Sequence, residues 1–241
     1  MTPSGLDRAR EATARIREII GGSGWSLYGM GSLGYGNYVP GWSDLDLDVV
    51  VDGDLGPVDA LAERVNDALH GDGYGAVDVK CFRLQDLREP GLELLYGIAN
   101  RRVMLLDSAV HLFGPDIRAL VPRPSPGELR EECRRVAGGL AGMPDDWWAT
   151  RPIDDLAAIL ALPLRLLHTA ATGAVVDKTT ALEAALSSDQ VEPRHWPWLS
   201  WALACRYSPA VRKLPAAAAD DARVAGRDLL RWAAARLDAL K

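Results

Sequence analysis

The segment Ser43-Asp44-Leu45-Asp46-Leu47-Asp48-Val49-Val50-Val51 leaves this chain few folds to choose from. Apolar and polar residues alternate through it with a period of two, which is the period of a β-strand. Its Val-rich end asks for burial, yet aspartate at alternate positions is poor strand composition. On one strand face Asp44 and Asp46 stand about 7 Å apart. Two carboxylates so placed repel each other unless a cation lies between them. Hard oxygen donors of this kind suit Mg²⁺ shared with substrate phosphates. Upstream, Gly31-Ser32 offers backbone N–H groups and a hydroxyl to a phosphate. A phosphate cradle beside an acid pair is the equipment of phosphoryl or nucleotidyl transfer. The plainer alternative is an acidic edge strand with a flexible loop. Asp48 points the same way and suits either an outer layer of the acid site or one half of an ion pair.

The rest of the first 120 residues alternates helix and strand signals. Ser4 and Asp7 form a capping box, followed by an apolar face of Leu6, Ala9, Thr13, Ile16 and Ile20 that stops at Gly21-Gly22. Trp25–Gly29 reads as a strand and Met30–Ser43 as a glycine-rich loop. Pro57 opens a helix carrying Val58, Leu61, Val65 and Leu69. Gly75–Phe82 reads as a strand, Leu92–Asn100 as a helix and Arg102–Leu106 as a strand. The prolines of residues 122–126 mark a linker. Beyond it the pattern is helical: a helix capped by Ser125 and Glu128, one over Ile153–Ala171 containing Pro163, a short one capped by Asp177, then Trp196–Tyr207 and Ala216–Leu240. The expected fold is α+β, with a small mixed sheet of about four strands in residues 1–120 and a helical bundle in 125–241.

Gly-Ser, a loop and then Ser-Asp-x-Asp resembles the signature of the polymerase-beta-like nucleotidyltransferase superfamily. The resemblance implies two Mg²⁺ ions on two strand carboxylates, Asp44 and Asp46, and on a third acid from a later strand. Asp78, in Ala76-Val77-Asp78-Val79-Lys80, is the fitting third acid, as a metal ligand or as the base for an acceptor hydroxyl; Glu93 is its substitute. Gly31, Ser32 and Ser43 fall to the nucleotide. In the second half, a helix from Asp154-Asp155 through Leu160, Leu164, Arg165 and Leu167 leads to Thr172-Gly173 and then Asp177-Lys178. This is similar to the helical domain of the streptomycin/spectinomycin adenylyltransferases. The resemblance covers roughly residues 25–110 and 150–207. It implies that Lys178 contacts the ATP phosphates and that Asp155 and Trp148, beside Trp147, contact a cationic acceptor, with the site in a cleft between the two domains. Two departures bear on the acceptor. Asp78 stands where those enzymes use Glu, and Phe82–Leu92 is much shorter than their counterpart.

Composition trims the alternatives. The formal charge is −6, and its negative excess lies wholly in residues 1–120. A phosphate-backbone binder usually carries a basic excess, so a nucleic-acid partner and an RNA-extending enzyme are disfavoured. A negative field attracts a polycationic acceptor instead. Three widely spaced cysteines with no CxxC suggest reduced thiols in the cytoplasm. No run of 18 apolar residues occurs, so no membrane span is expected. His70, His111, His168 and His195 are isolated and lack metal spacing. The function expected is transfer of AMP from ATP to a hydroxyl of a small cationic acceptor, an antibiotic-modifying reaction if that acceptor is an aminoglycoside. The other readings are an antitoxin-like enzyme that adenylylates a protein and an inactive nucleotide-binding module. A monomer is expected, with a dimer left open.

Overall fold

The computed structural model describes residues 4–40, 43–74, 76–89, 97–208, 211 and 214–240. It divides the chain into two units, Met1–Pro124 and Ser125–Lys241.

In the first unit, helix α1 (Gly5–Ile20) starts at the expected box: the Ser4 side chain accepts from the Asp7 N–H, and the Asp7 carboxylate accepts from the Ser4 N–H. Strand β1 (Trp25–Gly29) follows, then a four-residue helix α2 (Gly31–Gly34), strand β2 (Leu45–Val51) and helix α3 (Val58–Gly71). Strand β3 (Val77–Arg83), the short helix α4 (Leu84–Arg88), helix α5 (Ile98–Asp107) and strand β4 (Val110–Phe113) complete the unit. The sheet order is β3-β2-β1-β4. The β2–β3 pair is parallel, joined through α3, and the β1–β2 and β1–β4 pairs are antiparallel.

Period-two alternation sorts β2 between two cores. Leu45, Leu47, Val49 and Val51 pack with Ala9, Ile16, Leu61 and Val65 from α1 and α3. On the opposite face, Val50 joins Tyr28, Leu84, Leu87, Ile98 and Leu105 in a second cluster that includes α4 and α5. Asp46 and Asp48 share that second face, so it turns from acidic to apolar along the strand.

The strand expected at Arg102–Leu106 is helical and belongs to α5, and the fourth strand lies just beyond it. A short apolar run fits a buried strand and a buried helix equally well. Here burial of Ile98, Ala99, Arg102 and Val103 follows the helical repeat, and the buried Arg102 guanidinium donates to the Pro122 carbonyl at 2.9 and 2.6 Å. The glycine-rich segment after β1 opens with α2 rather than running as loop throughout. The 92–96 part of the expected Leu92–Asn100 helix lies outside the described residues.

The second unit is helical among its described residues: α6 (Pro126–Ala141), α7 (Asp145–Ala149), α8 (Ile153–Thr172), α9 (Lys178–Leu186), α10 (Trp196–Tyr207) and α11 (Ala216–Ala239). The Ser125–Glu128 box caps α6, and Asp177 caps α9 by accepting from Thr179 and Thr180 N–H. Cys133 and Ala137 of α6, Leu166 and Ala170 of α8 and Leu237 of α11 form a shared core. Over Asp155–Thr172, α8 is long and apolar enough to cross a membrane, with a mean hydropathy of 1.2. Half of that stretch is buried inside the protein, which is how the core helix of a bundle reads. Cys81, Cys133 and Cys205 are buried and unbridged.

Candidate functional site

Parallel pairing of β2 and β3 sets Asp46 opposite Asp78 and Asp48 opposite Lys80. Residues paired in register point to the same sheet face, so the two carboxylates stand side by side on neighbouring strands, whose backbones run about 4.8 Å apart. The ladder begins where the Leu45 N–H donates to the Ala76 carbonyl at 2.9 Å. Asp44 therefore precedes the strand, and it is exposed. Two of the three expected acids come together through the ladder, and Asp44 sits one residue outside it. Among the described residues, no group of three His, Cys, Asp or Glu side chains forms a ready metal cage. Glu93 lies outside the described residues.

Gly31 is fitted to Asp46. The Met30 N–H donates to the Asp46 carbonyl at 2.9 Å, which pins the start of α2 to β2. Gly31 has φ +54°, and a Cβ on it would lie 2.1 Å from Asp46 Oδ2. Only a residue without a side chain lets the backbone come this close to the carboxylate. Ser32 follows in the same turn, and its carbonyl accepts from the Asn37 N–H at 3.0 Å. Ser43, 8% exposed, closes the loop. Its Oγ accepts from the Val39 N–H at 3.0 Å, and its own N–H donates to the Val39 carbonyl at 2.8 Å. The buried Asn37 Oδ1 lacks a hydrogen-bond partner, leaving an unsatisfied acceptor in this loop.

Cations flank the acid pair. Lys80 Nζ lies 3.0 Å from Asp78 Oδ2, both side chains being about half exposed. Arg101 from α5 forms a bidentate ion pair with Asp48, its Nε donating to Oδ2 at 2.5 Å and its Nη2 to Oδ1. Asp48 thus takes the ion-pair role rather than the role of an outer acid. An open groove of about 590 Å³ runs between α3 and the edge strand β3. Asp59, Glu63, Asp67 and Asp78 line it, with Asn66 and His70.

The residues present suit a hard divalent cation in their donor chemistry. They offer two in-register carboxylates, with the backbone held against one of them by a glycine that has no Cβ. Asp46 and Asp78 would hold such an ion, and Asp44 is the next acid along the chain.

In the second unit, Lys178 is the first residue of α9, directly after the Asp177 cap. Two arginines reach the same turn. Arg165 Nε donates to the Val176 carbonyl at 2.8 Å, and Arg206 Nε donates to Thr179 Oγ1 at 3.4 Å. Burial lowers the Arg206 pKa, with Asp177 opposing and Arg165 reinforcing the shift. Arg165 is part of the helix motif named from the sequence, which gave it no partner. Asp155 is exposed in the first turn of α8. Trp148 is 3% exposed and meets Trp147 edge-on, with ring centroids 5.0 Å apart. A Cβ on Gly226 of α11 would come within 3.2 Å of the Trp148 ring. This tryptophan is core to its own unit, while the half-buried Trp147 carries the Arg151 guanidinium 4.4 Å from its ring centroid.

No protein-family model matches this chain, and no curated protein matches it. Among solved structures, it is similar to the spectinomycin adenyltransferase AAD(9) from Enterococcus faecialis, solved with ATP and spectinomycin. The match has 16% sequence identity and a TM-score of 0.68, and covers 97% of this chain and 99% of that one. The chain has the fold of that enzyme over nearly its whole length.

Proposed function

We propose that this protein is a nucleotidyltransferase that moves AMP from ATP to a hydroxyl of a small cationic acceptor such as an aminoglycoside. The observation that carries this reading is the in-register pair Asp46/Asp78 with Gly31 seated on Asp46. Support comes from the likeness in fold to an adenyltransferase solved with ATP and spectinomycin.

In this reading the acceptor oxygen attacks the α-phosphorus in line. The bond from that phosphorus to the bridging oxygen breaks, and pyrophosphate leaves with the electron pair. Asp78, half exposed and lining the acidic groove, takes the hydroxyl proton. Mg²⁺, held by Asp46 and Asp78, would supply charge neutralisation at the phosphates. Gly31 and Ser32 orient the triphosphate through backbone N–H groups and the hydroxyl. Ser43 keeps the loop between them and β2 closed. Lys178 is assigned to the triphosphate, in a turn that Arg165 and Arg206 also reach, and the exposed Asp155 to the acceptor, whereas the burial of Trp148 favours a packing role. The acidic groove beside β3 favours a polycation and disfavours nucleic acid. Buried, unbridged thiols fit a reducing cytoplasm.

The test follows pyrophosphate release from ATP with Mg²⁺ across a panel of aminoglycosides and related hydroxylated amines. The expected result is release with at least one acceptor, abolished by Asp46→Asn while the circular dichroism spectrum is unchanged. Transfer by Asp46→Asn at the wild-type rate would overturn the mechanism.

A further inference from the structure

The Asp48–Arg101 pair is used by no step above, yet the chain buries it. Asp48 is 2% exposed, and the Arg101 side chain is 17% exposed with its guanidinium 5.4 Å from the Phe82 ring centroid. A buried ion pair is a poor source of stability, because desolvating both charges offsets most of their attraction. Well-packed apolar residues would serve the fold as well, so the pair calls for an explanation in its location.

That location is the acid site. Asp46 and Asp48 share one face of β2, and Asp78 and Lys80 continue that face on β3 in register. Arg101, bound to Asp48, stands at the inner end of a row whose outer end is Asp46 and Asp78. Burial works against its charge, but Asp48 first, and then Asp46 and Asp78, outweigh that and hold its pKa above the ordinary arginine value. Asp46 lies two residues from Asp48 on the same strand face, about 7 Å along the strand, and Asp78 is in register with Asp46, so the guanidinium held on Asp48 sits beside the acid pair. Unlike a bound ion, it cannot leave.

We propose that Arg101, locked in place by Asp48, is a built-in counter-ion of the Asp46/Asp78 pair that keeps the pair's affinity for a free divalent cation low, so that the cation enters together with the nucleotide. The inference rests on the assignment of Asp46 and Asp78 as the metal-binding acids. It makes Arg101 a positioning residue, acting on the metal through the field it sets at the carboxylates.

The test is a Mn²⁺ titration of the full-length protein, read by the electron paramagnetic resonance of free Mn²⁺, with and without a non-hydrolysable ATP analogue. Asp48→Asn keeps the shape of the pair and a hydrogen-bond acceptor for Arg101 but releases the cation's charge toward Asp46 and Asp78. Its Mn²⁺ affinity without nucleotide is expected to fall about tenfold. Arg101→Gln is expected to tighten Mn²⁺ binding by about the same factor. Should Arg101→Gln fail to fold, because it strands a buried carboxylate, Asp48→Asn alone decides. A pair with only a structural role predicts a Mn²⁺ affinity for Asp48→Asn within about twofold of wild type, and that result would overturn the inference while leaving the metal-binding acids in place. Wild-type protein that binds no Mn²⁺ even with the nucleotide analogue would overturn both assignments together.

Discussion

Gly31 and Asp46 are shaped to each other: the space a Cβ would take on Gly31 holds Asp46 Oδ2, 2.1 Å away. The glycine also has φ +54°, a left-handed conformation that disfavours side chains. Gly31→Ala must therefore push the carboxylate aside or shift the turn. A displacement of about 1 Å at a reacting centre costs on the order of 10²-fold in rate. The expected outcome in a pyrophosphate-release assay is a loss of at least that size in kcat, with thermal stability reduced by only about 1–2 kcal/mol for the strained backbone. Wild-type kcat in the alanine variant would separate Gly31 from the chemistry.

The second unit supplies its own test of the proposed contacts. Lys178→Ala is expected to raise KM for ATP while KM for the acceptor holds. Asp155→Asn is expected to do the reverse, because an exposed carboxylate in the first turn of α8 has no packing role to lose. Steady-state kinetics with each substrate varied in turn separates the two. Equal effects of either variant on both KM values would contradict the assignments.

Trp148 faces a sharper choice. Its indole is enclosed against Gly226 of α11, and its Nε1 is buried without a partner. Trp148→Ala is expected to destabilise the helical unit by about 3–5 kcal/mol, as other buried aromatic truncations do, visible as an early denaturation step. Stability within about 1 kcal/mol of wild type, combined with a raised acceptor KM, would show instead that this ring serves the acceptor and not the core.

His195 gives a pH signature. It is 3% exposed, its Nε2 has no partner, and burial followed by the nearby Arg194 lowers its pKa below the ordinary histidine value. The folded state therefore favours the neutral ring. Near pH 8 the ring is neutral whether the chain is folded or unfolded, and stability is unaffected. As pH falls below about 6.5, the unfolded chain takes up the proton first, and stability declines until the folded pKa is passed. Thermal melts between pH 8 and 5 should show this decline, and His195→Gln should flatten it. An identical slope in both proteins would place the titration elsewhere.

The parts of this architecture that depend on local pattern were readable in advance. The two capping boxes, the Asp177 cap and the alternation through residues 45–51 each lie within a few residues and name their element. Asp46 and Asp78 were readable as strand acids for the same reason, but their side-by-side placement was not, because register belongs to the sheet and not to either strand. Arg101 escaped notice because its partner is 53 residues away and nothing in Asn100-Arg101-Arg102 announces it. Two adjacent arginines diverge there, Arg101 to Asp48 and Arg102 to the Pro122 carbonyl. The misplaced strand at Arg102–Leu106 has the same root: apolar content alone does not separate a buried helix from a buried strand.

Parallel pairing of β2 and β3 also says where this protein can change. What brings Asp46 to Asp78 is the alignment of Leu45 with Val77, and the chain between the two strands only has to return to that starting point. Insertions and deletions in the turns on either side of α3 can therefore accumulate without moving the acids. A slip of a single residue in the ladder would send Asp78 into the apolar interior and lift Val77 or Val79 in its place. Divergent relatives should keep this alignment while the length of the crossover drifts, so an alignment judged by sequence spacing alone would miss what they share.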